Sequence, residues 1–328
     1  MSTTLDEQLN AYLSDAHSIE EQALQQLRGA PDAAGDPELA ALFRDHLVET
    51  EGHERLVRER LEQRGGGPSR VKDLLMRVGG AGFLLFARAQ PDTPGKLAAH
   101  AFSYEHMELA AYDLLARVAE RANDEETVAM AQRIRAEEEQ MAERLAQLFD
   151  RAVEASLAAV GRDDLGEQLN KYLADAHAIE AQAIQLLEKG PDLAGDPELA
   201  RLYAEHLEET RAHQQLVSDR LDARGGSSSS LKDAALRAGA LNWGMFFQLH
   251  PDTPGKLACF AYAFEHLEIA AYEELERVAT RVGDAETVQV AEQIHGQERV
   301  AAEKLYGAFD RAVAASLEAV GVTGGARP

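Results

Sequence analysis

The stretch "HLVETEGHERL" (His46–Leu56) returns as "HLEETRAHQQL" (His206–Leu216), 160 residues further along the chain. Neither copy contains Pro. Both lie in long windows rich in Ala, Leu, Glu, Gln and Arg, a composition that favours helix. Around the first copy, Leu39, Leu42, His46, Glu49, His53, Leu56 and Arg60 succeed one another at spacings of three and four, the rhythm of a buried helical stripe. Two imidazoles and a carboxylate thus share a helix face with core leucines, and they do so twice.

The repetition extends far beyond this helix. "LNAYLSDAHSIE" from Leu9 matches "LNKYLADAHAIE" from Leu169, "AGDPELA" recurs at Ala34 and Ala194, and "FDRAVEASLAAVG" from Phe149 matches "FDRAVAASLEAVG" from Phe309. The offset is constant, no gap is needed, and about half the positions are identical. A period this long predicts two similar domains, over residues 1–160 and 161–328, rather than a solenoid.

Bulk properties narrow the class. A chain of 328 residues with 45% apolar content can fill two cores. A net charge of -24 repels phosphate backbones and anionic lipid, so neither nucleic acid nor membrane is expected as a partner. The single cysteine, Cys259, excludes an intrachain disulfide. The start, "MSTTLDEQLNAYL", is polar and acidic, unlike a signal peptide, and the apolar stretches at Gly79–Ala87 and Ala238–Phe247 are too short to span a bilayer. A cytoplasmic location is the expectation.

Start and stop signals divide each repeat into four long helices. In the first repeat, one helix runs from about Thr4 to Arg28. The second opens on Asp36 as cap with Pro37 at the first helical position, and ends near Arg64 before "GGGP". The third opens on Thr93-Pro94 and ends near Ala122. Asn123-Asp124 then caps a fourth helix reaching about Ala159. Between the second and third helices lies a long segment with a short amphipathic helix expected at Val71–Arg77. Two hairpins joined by one long crossover make the ferritin-like form of the four-helix bundle, so the fold class is all-α with two such bundles in tandem.

Carboxylates recur on the inner stripes at mid-length. The first helix offers Glu20, the second Glu49 with His46 and His53, the third Glu105 and Glu108, and the fourth Glu138. The second repeat offers Glu180, Glu209 with His206 and His213, Glu265 and Glu268, and Glu298. Buried carboxylates crowded together repel one another and need positive charge among them. No Arg or Lys falls at the matching inner positions. Divalent metal held by carboxylates and imidazole meets the need, and ferritin-like di-iron and di-manganese bundles are built this way. The expected ligands are Glu20, Glu49, His53, Glu105, Glu108 and Glu138, with Glu180, Glu209, His213, Glu265, Glu268 and Glu298 in the second copy. His46, His106 and Tyr112, and their counterparts His206, His266 and Tyr272, are expected as supporting hydrogen-bond partners or alternative ligands.

"DAHSIEEQAL", "HLVETEGHERL", "YEHMELAAY" and "EEEQMAERL" resemble the YciE/YciF type of ferritin-like stress proteins, over nearly the whole chain and twice over. The resemblance implies a ferritin-like fold, a cytoplasmic location, dimerisation and a role under stress. The family's acidic and histidine positions fall on Glu20, His46, Glu49, Glu105, His106, Glu108 and Glu138, and on the residues 160 further on. Two departures from the ferritin pattern stand out. Glu49 and His53 are four apart rather than three, and Met141 and Ala301 stand where a second histidine belongs.

The resulting expectation is two Fe or Mn ions per repeat, acting with dioxygen or peroxide. The alternative is a scaffold or stress-protective bundle whose inner Glu and His residues form a polar network without functional metal. A storage shell is disfavoured because a fused tandem chain is an awkward unit for a closed cage. The repeats are instead expected to pack as an internal pseudo-dimer, with a further homo-oligomer open, and Phe83, Phe86, Trp243 and Phe247 are the proposed contact surface.

Overall fold

The computed structural model describes residues 3–67, 93–158, 160–161, 164–226 and 252–322. These divide into two compact units, the first built on Met1–Ala158 and the second on Ala159–Val320. Among the described residues every regular element is an α-helix. The first unit contains α1 (Leu5–Leu27), α2 (Ala30–Ala33), α3 (Pro37–Gln63), α4 (Thr93–Arg121), α5 (Glu125–Ala146) and α6 (Phe149–Leu157). The second repeats the order with α7 (Leu165–Leu187), α8 (Gly190–Leu193), α9 (Pro197–Ala223), α10 (Thr253–Val282), α11 (Ala285–Tyr306) and α12 (Phe309–Ala319). The short helix expected at Val71–Arg77 and the aromatic residues Phe83, Phe86, Trp243 and Phe247 lie outside the described residues.

The helix starts are set by local chemistry. Thr4 and Glu7 form a reciprocal capping box at α1. Asp36 Oδ1 accepts from the backbone of Glu38 at 2.9 Å and Leu39 at 3.0 Å, with Pro37 supplying the preset φ of the first turn. Asp124 caps α5 by accepting from Thr127 N at 3.0 Å.

In the first unit α1 packs on α3 and on α4, α4 on α5, and α3 on α5. The two ends of the bundle are marked by different contacts. At one, Arg64 binds Asp6 and Asp124, and Arg60 binds Asp124 and Glu126. At the other, Arg151 binds Asp36 at 2.8 Å and Ser156 Oγ accepts from Gly95 N at 2.8 Å. A Cβ on Gly35, whose φ is +66°, would lie 2.7 Å from Pro94 Cγ, so the start of α4 seats against the turn before α3. Gln63 and Thr93 therefore stand at opposite ends of a helix of 27 residues, about 40 Å long. Both helices start at the same end of the bundle, so α3 and α4 run parallel, as the expected crossover topology requires. The same marks recur in the second unit: Arg224 on Asp284, Gly255 N on Ser316 Oγ at 2.6 Å, and Pro254 against Gly195.

The fourth helix departs from expectation. It stops at Ala146, and the chain resumes as α6 after Leu148. The break lets Phe149 turn fully inward, where its ring meets Phe102 edge-on at 5.4 Å. Leu145, Phe149, Ala152 and Ser156 keep the spacing of one continuous stripe across the break, so periodicity concealed it.

Candidate metal centre

Each long helix of the first unit aims chemistry at one level of its core. Glu20 of α1, His46 and His53 of α3, Glu105 and Glu108 of α4, and Glu138 of α5 are all buried. Their donor atoms form two groups. His46, Glu105, Glu108 and Glu138 each bring one ligand atom within 4.8 Å of the others, and so do Glu20, His53 and Glu138. Glu138 belongs to both. The second unit reproduces the pattern with His206, Glu265, Glu268 and Glu298, and with Glu180, His213 and Glu298.

The internal contacts are close but poorly aligned. His46 Nε2 is 3.2 Å from Glu105 Oε2 and 3.5 Å from Glu138 Oε2, and His53 Nδ1 is 2.7 Å from Glu138 Oε1. None of these atoms has a hydrogen-bond partner, nor do Glu20 Oε2 and both oxygens of Glu108. Six residues thus leave eight buried polar atoms unsatisfied around one point, where isolated lapses would be scattered. Donors about 2.1 Å from one ion stand about 3 Å apart when adjacent and about 4.2 Å apart when opposite, so the groups have the dimensions of ion cradles. The four carboxylates would also be neutralised by two divalent cations.

Proton affinities show the strain of the uncompensated cluster. Burial, reinforced by Glu138, raises Glu20 to about 8 and Glu105 to about 7, and pushes Glu108 well above the carboxylate range. Burial alone would lower the imidazoles, but the surrounding carboxylates outweigh it: His53 rises to about 9, and His46 rises well above its ordinary value. In the second unit burial likewise lifts Glu265 to about 7 and Glu180 and Glu268 well above the ordinary range.

A supporting layer surrounds the donors. The Tyr112 hydroxyl donates to Glu20 Oε1, and Tyr272 does the same for Glu180. His53 Nε2, the nitrogen turned away from the cluster, donates to Glu137 Oε2 at 2.7 Å, and Arg133 Nε holds the other oxygen of Glu137 at 3.0 Å. In the second unit His213 Nε2 meets the amide oxygen of Gln297 at 3.1 Å instead.

Two expectations about individual residues are corrected. Glu49 and Glu209 do not join the clusters. Each side chain is 42% exposed, and each accepts from the outward Nδ1 of His46 or His206, at 3.1 and 3.3 Å. The buried stripe of α3 is Leu39, Leu42, Phe43, His46, Thr50, His53, Val57 and Leu61. At about 100° per residue, Glu49 falls about 80° from the centre of that stripe and Thr50 about 20°. His46, expected as a supporting partner or alternative ligand, occupies the place given to Glu49. His106 and His266 also point elsewhere. Each Nδ1 donates to a backbone carbonyl one turn back at 2.8 Å, Phe102 or Tyr262, and burial lowers His106 to about 4. Glu137 was missed. It sits in "AEEEQ", which reads as a solvated charge run, and its counterpart is Gln297, so the internal comparison gave no signal.

A third group, His17, Glu21 and Glu54, forms in the first unit alone. Arg58 takes the same Glu54 oxygen that faces His17, and His177, Ala181 and Gln214 replace the set in the second.

Two consecutive regions, residues 4–158 and 164–318, match one family model, described as a domain of unknown function, DUF892. The chain belongs to this family. DUF892 is the YciE/YciF-like ferritin-like group, and the paired match agrees with a tandem duplication. No solved structure matches the chain. Among the described residues of this DUF892 protein, no helix is long and apolar enough to cross a membrane.

Proposed function

We propose that each repeat is a di-metal carboxylate centre for iron or manganese, which oxidises Fe(II) or removes peroxide in a stress response. The ligands in the first repeat are Glu20, His46, His53, Glu105, Glu108 and Glu138, and in the second Glu180, His206, His213, Glu265, Glu268 and Glu298. The observation that carries the reading is the sharing of Glu138 and Glu298 between two adjacent groups of orphaned donors. A carboxylate has two oxygens and can serve two ions at once, which no hydrogen-bonded network of this composition requires.

The bound pair would supply one-electron redox steps, with oxygen donors favouring the higher-valent metal. The chain's own groups prepare the site. Tyr112 fixes one oxygen of Glu20 and leaves the other facing the cluster. Glu49 and Glu137 hold His46 and His53 with opposite ring nitrogens inward, Nε2 for His46 and Nδ1 for His53. Ile134 and Met141, one turn to either side of Glu138, are fully buried.

The competing reading is a proton-bridged network in which His46 and His53 are cationic. It requires Glu20 and Glu108 to be held protonated, and it still leaves both oxygens of Glu108 without any partner. Elemental analysis of protein produced with both Fe and Mn decides between them: about four ions per chain are expected, and none would defeat the metal reading.

A further inference from the structure

The two repeats share one ligand set but differ beside it. Where the first has Ala30, Phe43 and Met141, the second has Gly190, Tyr203 and Ala301. A Cβ on Gly190 would stand 2.8 Å from Tyr203 Cβ, so the glycine lets this aromatic side chain pack closely. Ala301 removes the thioether chain that Met141, fully buried, places against the core of the first repeat. Beside the second cluster lies a cavity of about 20 Å³, lined by Tyr203, His206, Glu209, Glu265, Ala301 and Lys304 among others. A cavity of similar size in the first repeat lies against Phe43, His100, Tyr104 and Glu105 and does not reach His46. His206 is correspondingly more exposed than His46, 6% against 1%.

The cavity contains an unused donor. Tyr203 is 2% exposed, and its hydroxyl has no hydrogen-bond partner. Burial, with Glu265 close by, raises its pKa well above the ordinary tyrosine value, so it remains a donor. Glu265, which lines the same cavity, turns its Oε2 to the cluster, 2.9 Å from His206 Nε2. A buried, unpartnered hydroxyl beside a small void is satisfied by a ligand that accepts its hydrogen bond. One water needs roughly 10–15 Å³ of such room, so the space takes a molecule of about two heavy atoms.

We propose that the second repeat, whose pocket carries the Tyr203 hydroxyl that Phe43 lacks in the first, binds hydrogen peroxide beside its metal cluster, with Tyr203 as the positioning donor. Dioxygen matches the size but would leave the Tyr203 hydroxyl unsatisfied. The proposal rests on the metal reading above, since the pocket gains its meaning from the cluster it adjoins.

The test uses the full chain loaded with Co(II). Cobalt content is measured by elemental analysis, and azide is titrated against the visible cobalt spectrum as a small hydrogen-bond-accepting probe. Wild type should bind cobalt and respond to azide, with hydrogen peroxide displacing the probe and dioxygen-saturated buffer leaving it. Ala301→Met should keep its cobalt and weaken azide about tenfold or more by filling the space. Tyr203→Phe should weaken azide about fivefold, one hydrogen bond's worth. Met141→Ala, which opens the first repeat, should add a second azide response and guards against a misfolded Ala301→Met. Absence of cobalt in the wild type overturns the metal reading and this proposal with it. Normal cobalt with an azide response indifferent to Ala301→Met and Tyr203→Phe, or not displaced by peroxide, overturns the pocket alone.

Discussion

Glu138→Gln is the most informative single change in the first repeat. The amide keeps the size of the side chain and removes its charge at the one residue common to both donor groups. Glu20 and His53 belong to one group only, and His46, Glu105 and Glu108 to the other. Wild type should retain about four ions per chain after desalting. Glu138→Gln should retain about two, those of the second repeat, and the double variant Glu138→Gln with Glu298→Gln should retain none. Glu20→Gln, by contrast, should cost one ion. Stability should follow the same arithmetic. An ion present at a hundredfold excess over its dissociation constant stabilises the folded state by about 2.7 kcal/mol, so two ions give about 5 kcal/mol per repeat. For a unit of this size that corresponds to about 10–20 °C in melting temperature. Metal analysis and melting with and without chelator, unit by unit through the single variants, read both quantities. If Glu138→Gln keeps all four ions, or if chelator leaves the wild-type melt unmoved, the shared-carboxylate reasoning is wrong and the polar-network reading takes its place.

Three further outcomes follow from the site. Metal-free protein should lose stability as pH rises from about 5 to about 9. Glu20 and Glu105 titrate near 8 and 7 when folded against 4.5 when unfolded, and His53 near 9 against 6.5, so the folded state binds more protons throughout that window and the slope is negative. Chelator-treated melts across that range check the sign, and a melting temperature rising with pH would contradict it. Glu49→Ala should preserve the ion count while weakening the ion held by His46 about tenfold, because Glu49 acts on the imidazole from outside; loss of an ion would return Glu49 to the ligand set. Glu137→Gln should weaken the His53 ion about 10- to 100-fold, and Gln297→Glu should strengthen the His213 ion in the same measure, read by competition with a chromophoric chelator; equal affinities in all three proteins would show that the outer partner is idle.

Much of the fold was legible because its signals are local. Asp36-Pro37 and Asp124 announce helix starts through their own hydrogen bonds, and the contrast between short and long connections announces the crossover. What escaped was decided by neighbours. The stripe through His46 and His53 admits two continuations at spacings of three and four, one through Glu49 and Leu56, the other through Thr50 and Val57. The two differ by about 100° of rotation, and only packing against α1 and α5 selects between them. Chemical expectation favoured the carboxylate, whereas burial took the threonine, whose hydroxyl is satisfied by the His46 carbonyl at 2.9 Å. The break before Phe149 escaped for a related reason, since the apolar spacing runs through it unchanged.

The corrected register makes the centre more coherent chemically. With Glu49 among the donors, a second imidazole was missing and Met141 marked the gap. With Glu49 outside, α3 contributes two histidines seven residues apart, two turns along one face, and α4 contributes two glutamates three apart. The set becomes four carboxylates and two imidazoles, one imidazole to each donor group, with Glu138 between them. The histidine expected on the fourth helix is supplied by the second, and Met141 is released from any role as ligand. That release is what allows the two repeats to diverge at Met141 and Ala301 while their donors stay the same: a position that only packs can exchange bulk for open space without disturbing the donors beside it.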